Sequence, residues 1–106
     1  MYKISFWFEH GGECLWAKND LTRNKYGSPI KPEKLPLSQK SIRKFKELNE
    51  LYSTYLDWND PGSGCNWTTS EKNSFLEDAN ILYNEIVAEL GNDYVVINEV
   101  ATSVKL

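Results

Sequence analysis

Histidine and methionine each occur once in this chain of 106 residues, and cysteine occurs twice. His10 stands beside Gly11-Gly12 with no serine or cysteine at motif spacing, so neither Ser–His nor Cys–His nucleophilic chemistry is supported. Cys14 and Cys65 are too few for a disulfide scaffold and have no neighbouring histidine. They read as free thiols acting as small apolar side chains, with a disulfide or a metal site as the alternatives. No CxxC pair, zincin pair or phosphate-cradling glycine loop is present. No apolar run approaches the roughly 18 residues of a membrane-spanning helix. No basic leader precedes an apolar segment, so the expectation is a chain without a secretory signal, in a reducing, cytoplasmic setting.

Aromatic residues, by contrast, are plentiful: four Trp, six Tyr and four Phe. With 41% hydrophobic and 25% charged residues, the composition is that of a globular protein, and the length suits a single domain, 1–106. The net charge of −3 conceals an asymmetry. Between Lys18 and Lys46, nine basic residues face only Asp20 and Glu33, a local charge of +7. Between Asp57 and Glu99, nine acids face only Lys72, a local charge of −8. A concentrated acidic surface attracts a basic partner, whereas two solvated helix faces of opposite sign would produce the same count.

Residues 2–9 alternate, with Tyr2, Ile4, Phe6 and Phe8 on one face and Lys3, Ser5, Trp7 and Glu9 on the other, which predicts a half-buried strand. Gly11-Gly12 suits a hairpin turn, and residues 14–17 suit the return strand. Pro29, Pro32 and Pro36 predict an irregular stretch over 18–37. Ser38 is placed to cap a helix carrying Ile42, Phe45, Leu48, Tyr52, Tyr55 and Leu56 at helical spacing. Thr68-Thr69-Ser70-Glu71 is a capping box for a second helix, with Phe75, Ala79, Leu82, Ile86 and Leu90 as its apolar stripe and Gly91 as its end. Residues 94–100 carry the β-branched density of a buried strand. The order predicts an α+β fold: a small antiparallel or mixed sheet, built from the N-terminal hairpin and the C-terminal strand, with two helices on one face.

The chemistry follows from what these elements carry. Asp57 and Asp60 imitate the start of a calcium loop, but Pro61-Gly62-Ser63-Gly64 and the missing bidentate glutamate break the pattern. Glu77-Asp78 and Glu85 with Glu89 are what an exposed acidic helix shows, so no catalytic dyad, metal or cofactor is expected. An enzyme is therefore the weaker class, and a binding protein the stronger. In the basic segment Lys and Pro outnumber Arg and aromatics, which makes nucleic acid the weaker partner. The acidic half is the stronger candidate surface: Asp57, Trp58, Asp60, Trp67, Glu77, Asp78, Glu85 and Glu89. Trp58 and Trp67 read equally as interface anchors or as core residues at the helix–loop junction. Asp78 and Glu85 lie within about 20° of one another around a helix, while Glu77 and Glu89 lie elsewhere on the wet arc.

Cys14-Leu15-Trp16-Ala17-Lys18-Asn19-Asp20, Tyr26-Gly27-Ser28-Pro29-Ile30 and Leu35-Pro36-Leu37-Ser38, followed by the aromatic and acidic run Tyr52–Asp60 and by Trp67-Thr68, resemble a family of small bacterial proteins. The resemblance covers most of the chain and extends to the immunity proteins of contact-dependent growth inhibition systems. It implies a cytosolic protein that binds and neutralises the C-terminal domain of a cognate toxin, commonly a nuclease, without catalysis and away from membranes. It supplies no interface residues, because such surfaces vary between members. The alternative is a small nucleic-acid-binding or regulatory module using residues 18–46.

Overall fold

The computed structural model describes residues 1–9, 13–55 and 67–104. Strand β1 (Tyr2–Phe6) lies at the centre of a three-stranded sheet of order β2-β1-β3. It pairs antiparallel with β2 (Leu15–Ala17), Ile4 opposite Ala17 and Phe6 opposite Leu15. It pairs parallel with β3 (Tyr94–Asn98), Ile4 opposite Val96. The sheet is thus mixed. The antiparallel ladder runs on beyond the strands through Trp7 N–H to Cys14 O (3.1 Å) and Glu9 N–H to Glu13 O (3.2 Å). The hairpin turn expected at Gly11-Gly12, with His10, lies outside the described residues.

The alternating face behaves as its period dictates: Ile4, Phe6 and Phe8 are buried and meet the helices. Phe6 packs edge-on to Phe45 of α2 (Gln39–Tyr52), ring centroids 5.7 Å apart, and Phe8 packs on Phe75 of α3 (Thr69–Leu90) at 5.0 Å. Helix α2 begins where Ser38 accepts from Ser41 N–H, and α3 begins at the capping box of Thr68 and Glu71. Gly91 ends α3 at φ 78°, a left-handed value that glycine adopts without a Cβ clash. Each expected stripe residue of α3 is buried, as are Ile42, Phe45, Leu48 and Tyr52 of α2, which ends at Tyr52; Tyr55 is half-buried beyond it, and Leu56 lies outside the described residues.

Four expectations need correction. Residues 18–37 hold a helix, α1 (Asp20–Tyr26), and a 3-10 turn at Pro32–Lys34. Asn19 caps α1 by accepting from Thr22 N–H, and the helix stops at Gly27, before the first proline. The sheet is therefore accompanied by three helices. Ser5, expected in solvent, is fully buried, and its hydroxyl has no partner among the described residues. It shares its face with Trp7 and its cross-strand partner Trp16, whose indoles stack at 4.7 Å and shelter it. Strand β3 is an edge strand buried on one face alone: Val96 is covered, while Val95 and Ile97 are exposed. On the opposite edge, Ile30 N–H bonds Leu15 O at 2.8 Å and Ser28 Oγ accepts from Ala17 N–H, so the chain itself covers β2.

Helices α2 and α3 run antiparallel, and polar bonds hold one end of the pair. The Glu89 carboxylate, near the end of α3, accepts from Ser38 N–H (2.6 Å), Ser41 Oγ (2.6 Å) and Ser38 Oγ (3.2 Å) at the start of α2. Desolvation pushes the carboxyl upward. The bonds from the Ser38 amide, the Ser41 hydroxyl and the Ser38 hydroxyl, with Lys40 nearby, outweigh it and hold Glu89 below the ordinary glutamate range. At the other end, Tyr52 meets Phe75 (5.6 Å) and Trp67 (6.2 Å).

Replacing Phe6 with Ala removes a ring shared by the sheet and α2 and is expected to cost about 3–5 kcal/mol in denaturant unfolding. A loss below about 1 kcal/mol would show that the ring is not structural. A Glu89 pKa below its unfolded value means that its contribution is present above the unfolded value, near pH 4.3, and fades as pH falls through the folded one. Glu89→Gln is therefore expected to lower the melting temperature at about pH 7, the gap from wild type closing toward about pH 3. A gap independent of pH would contradict the assigned role of the ionised carboxylate.

Candidate functional site

The acidic residues of α3 divide according to their angle around the helix. Phe75, Ala79, Leu82, Ile86 and Leu90 point into the core, which leaves Asp78 and Glu85 beside them, facing α2, and Glu77 farther out in solvent. Asp78 and Glu85 are half-buried, and Ile81 lies between them with half of its surface exposed (50%). Across from them on α2 stand Lys40 and Lys44, one turn apart. These side chains, with Leu82 as floor, line a groove of about 210 Å³ between the helices.

Electrostatically the groove is divided: α3 forms an anionic wall and α2 a cationic one. Among the described residues no ion pair within 4.0 Å crosses it, and Lys44 pairs instead with Glu47 of its own helix at 3.6 Å. Glu89, one turn beyond Glu85, is not part of this open wall because its oxygens are committed to Ser38 and Ser41. Trp67 is a core residue, 7% exposed, its indole N–H donating to Thr54 Oγ1 at 2.8 Å and its ring against Phe75 at 5.1 Å. Asp57, Trp58 and Asp60 lie outside the described residues.

The structure thus brings together Asp78 and Glu85 of the expected set, keeps Glu77 on the adjoining surface, engages the exposed Glu89 in hydrogen bonds to the start of α2, and buries Trp67 in the core. Sequence reasoning missed Ile81, Lys40 and Lys44. Ile81 had a signal, since it is an isoleucine off the apolar stripe of α3. The lysines had none, because their position opposite Asp78 and Glu85 depends on how the helices pair.

Five of the nine basic residues between Lys18 and Lys46 pair with carboxylates. Lys18 pairs with Glu99 (3.4 Å), Lys31 with Glu13 (3.6 Å), Lys46 with Glu33 (3.6 Å) and Arg23 with Asp20 (2.8 Å). Lys25 lies over the rings of Tyr2 and Tyr26 and bonds Tyr2 Oη at 3.0 Å. Cys14 is a buried free thiol. Burial pushes it up to about 12, against the hydrogen bond from Asn49 and with a further rise from Glu13, so it is protonated and a poor nucleophile. Cys65 lies outside the described residues. Among the described residues no group of three or more His, Cys, Asp or Glu is placed to hold a metal, and no helix is long and apolar enough to cross a membrane.

What remains is a groove with two half-buried carboxylates and two lysines around an exposed isoleucine. Comparison with known proteins bears on the role of the chain. A family model described as Serratia CdiI immunity protein-like matches residues 2–99. No curated protein matches the chain. The chain belongs to the Serratia CdiI immunity protein-like family, whose members are non-catalytic inhibitors, and membership implies neutralisation of a cognate CdiA toxin domain by binding it.

Proposed function

We propose that the α3 wall bearing Asp78 and Glu85, with Glu77 on the adjoining surface, covers a cationic patch of the cognate toxin's C-terminal domain, and that this toxin is a nuclease met in the cytosol. The observation that carries the reading is the pair of half-buried carboxylates beside exposed Ile81, neither paired with a cation of its own chain among the described residues. An apolar centre ringed by charge is the composition of a protein interface. A nuclease must offer cationic surface to a phosphate-rich substrate, and an acidic inhibitor can occupy it. Asp57, Trp58 and Asp60 extend the proposed surface on the strength of their residue types. Glu89 and Trp67 act on the partner only through the fold that they hold. The chain works as one domain, 1–106, with neither a membrane nor nucleic acid as its partner. The pairing of Lys18, Arg23, Lys31, Lys44 and Lys46 with carboxylates supports the last point.

The test is the affinity of the co-encoded CdiA C-terminal domain for an Asp78→Lys, Glu85→Lys variant at low and high salt. Binding is expected to weaken by about 2–5 kcal/mol, the range for disrupting desolvated charge pairs, with slower association and a shallower salt dependence. Unchanged affinity and salt slope in a folded variant would remove this face of α3 from the interface.

A further inference from the structure

The α2–α3 groove has walls of opposite sign, which a uniformly basic partner would not match. Lys40 and Lys44 on one wall would repel the cationic groups that Asp78 and Glu85 attract on the other. At about 210 Å³ the groove is smaller than the roughly 300–1,000 Å³ of small-molecule sites and suits one or two side chains. Its floor and lip, Leu82 and the exposed Ile81, are apolar. Among the described residues, contacts away from the groove join the two helices: the Glu89 hydrogen bonds at one end of the pair, and the Tyr52, Trp67 and Phe75 rings at the other. The charged side chains of the groove are therefore not needed to hold the helices together.

We propose that this groove receives one segment of the toxin domain: an apolar side chain seated over Ile81 and Leu82, flanked by an Arg or Lys that reaches Asp78 and Glu85 and by an Asp or Glu that reaches Lys40 and Lys44. The proposal rests on the reading that α3 faces the toxin, and it adds what that reading lacks, an acidic group on the toxin and a fixed orientation of the segment. A partner docked the other way round meets like charges on both sides, so the groove selects orientation and identity as well as affinity.

The experiment measures binding of the purified co-encoded CdiA C-terminal domain to three variants: Asp78→Lys with Glu85→Lys, Lys40→Glu with Lys44→Glu, and all four together. Each pair reversal is expected to raise Kd by about tenfold or more. The fourfold variant keeps the formal net charge of −3, because two lysines become acids while two acids become lysines. Long-range steering alone would spare it, whereas the two-signed groove predicts a loss at least as large as that of either pair. Neutral variants, Asp78→Asn with Glu85→Gln and Lys40→Gln with Lys44→Gln, repeat the comparison if a reversal fails to fold, with circular dichroism as the check. If the α3 variants weaken binding while the α2 variants leave it unchanged or tighten it, the two-signed groove is overturned and the acidic-face reading survives. If neither wall matters, both fail. A toxin-free dimer in sedimentation, dispersed by the Asp78→Lys, Glu85→Lys change, would assign the groove to a second copy of the chain and overturn the proposal.

Discussion

Phe6 and Phe8 project from the same extended segment, two residues apart, and reach two different helices, Phe6 to Phe45 of α2 and Phe8 to Phe75 of α3. Alternation along an extended chain makes them point the same way, so a single segment pins both helices to one face of the sheet. Phe6 and Phe8 also touch each other at 5.4 Å, and the cluster continues through Tyr52 and Trp67. Rings of this size bury more apolar area than any other side chain, so this cluster dominates the energetics of the fold. With α2 pinned near its middle and α3 near its start, Glu89 closes one end by accepting from Ser38 and Ser41 at the start of α2, and Ser103 ties in the far end by accepting from Phe8 N–H at 2.6 Å and, through its carbonyl, from Tyr52 Oη at 2.7 Å.

That arrangement decides what the acidic helix offers to a partner. The stripe from Phe75 to Leu90 faces the sheet and Glu89 is spent on α2, so Asp78 and Glu85 are the acids left at the rim of the groove, with Glu77 outside it. An inhibitor that works by covering a site requires a rigid, shaped and charged surface, with no reactive group in it. The buried, protonated Cys14 is inert, and the four groove charges sit on helices rather than loops, where their spacing is held.

Much of this was legible residue by residue. Caps announce themselves locally, because a helix start needs acceptors for its first N–H groups within three residues, and Ser38 and the Thr68–Glu71 box supply them. Asn19 carries the same local signal for α1, masked in sequence by the nearby prolines, all of which lie beyond the end of the helix. For Ser5, alternation alone predicts a solvent-facing side chain. Alternation says that a residue faces away from the helices, and it does not say whether that second face is wet; here the stacked Trp7 and Trp16 cover it. The β-branched run of β3 indicated a strand without telling an edge position from a central one, since that depends on which strands are neighbours.

By itself the sequence determined the α+β class, the starts of α2 and α3, the end of α3 at Gly91, the core stripes from Ile42 to Tyr52 and from Phe75 to Leu90, and the shared face of Asp78 and Glu85, because each of these follows from periodicity or from contacts within a turn of chain. Tertiary structure alone decided that Glu89 bonds Ser41, 48 residues before it, and the Ser38 cap of α2, that Trp67 belongs to the core, and that Lys40 and Lys44 stand opposite the acidic wall. Helical angle fixes a residue's direction only relative to its own axis. Which neighbour it meets depends on the crossing, order and register of packed elements, and these are settled by the aromatic core acting on the whole chain at once.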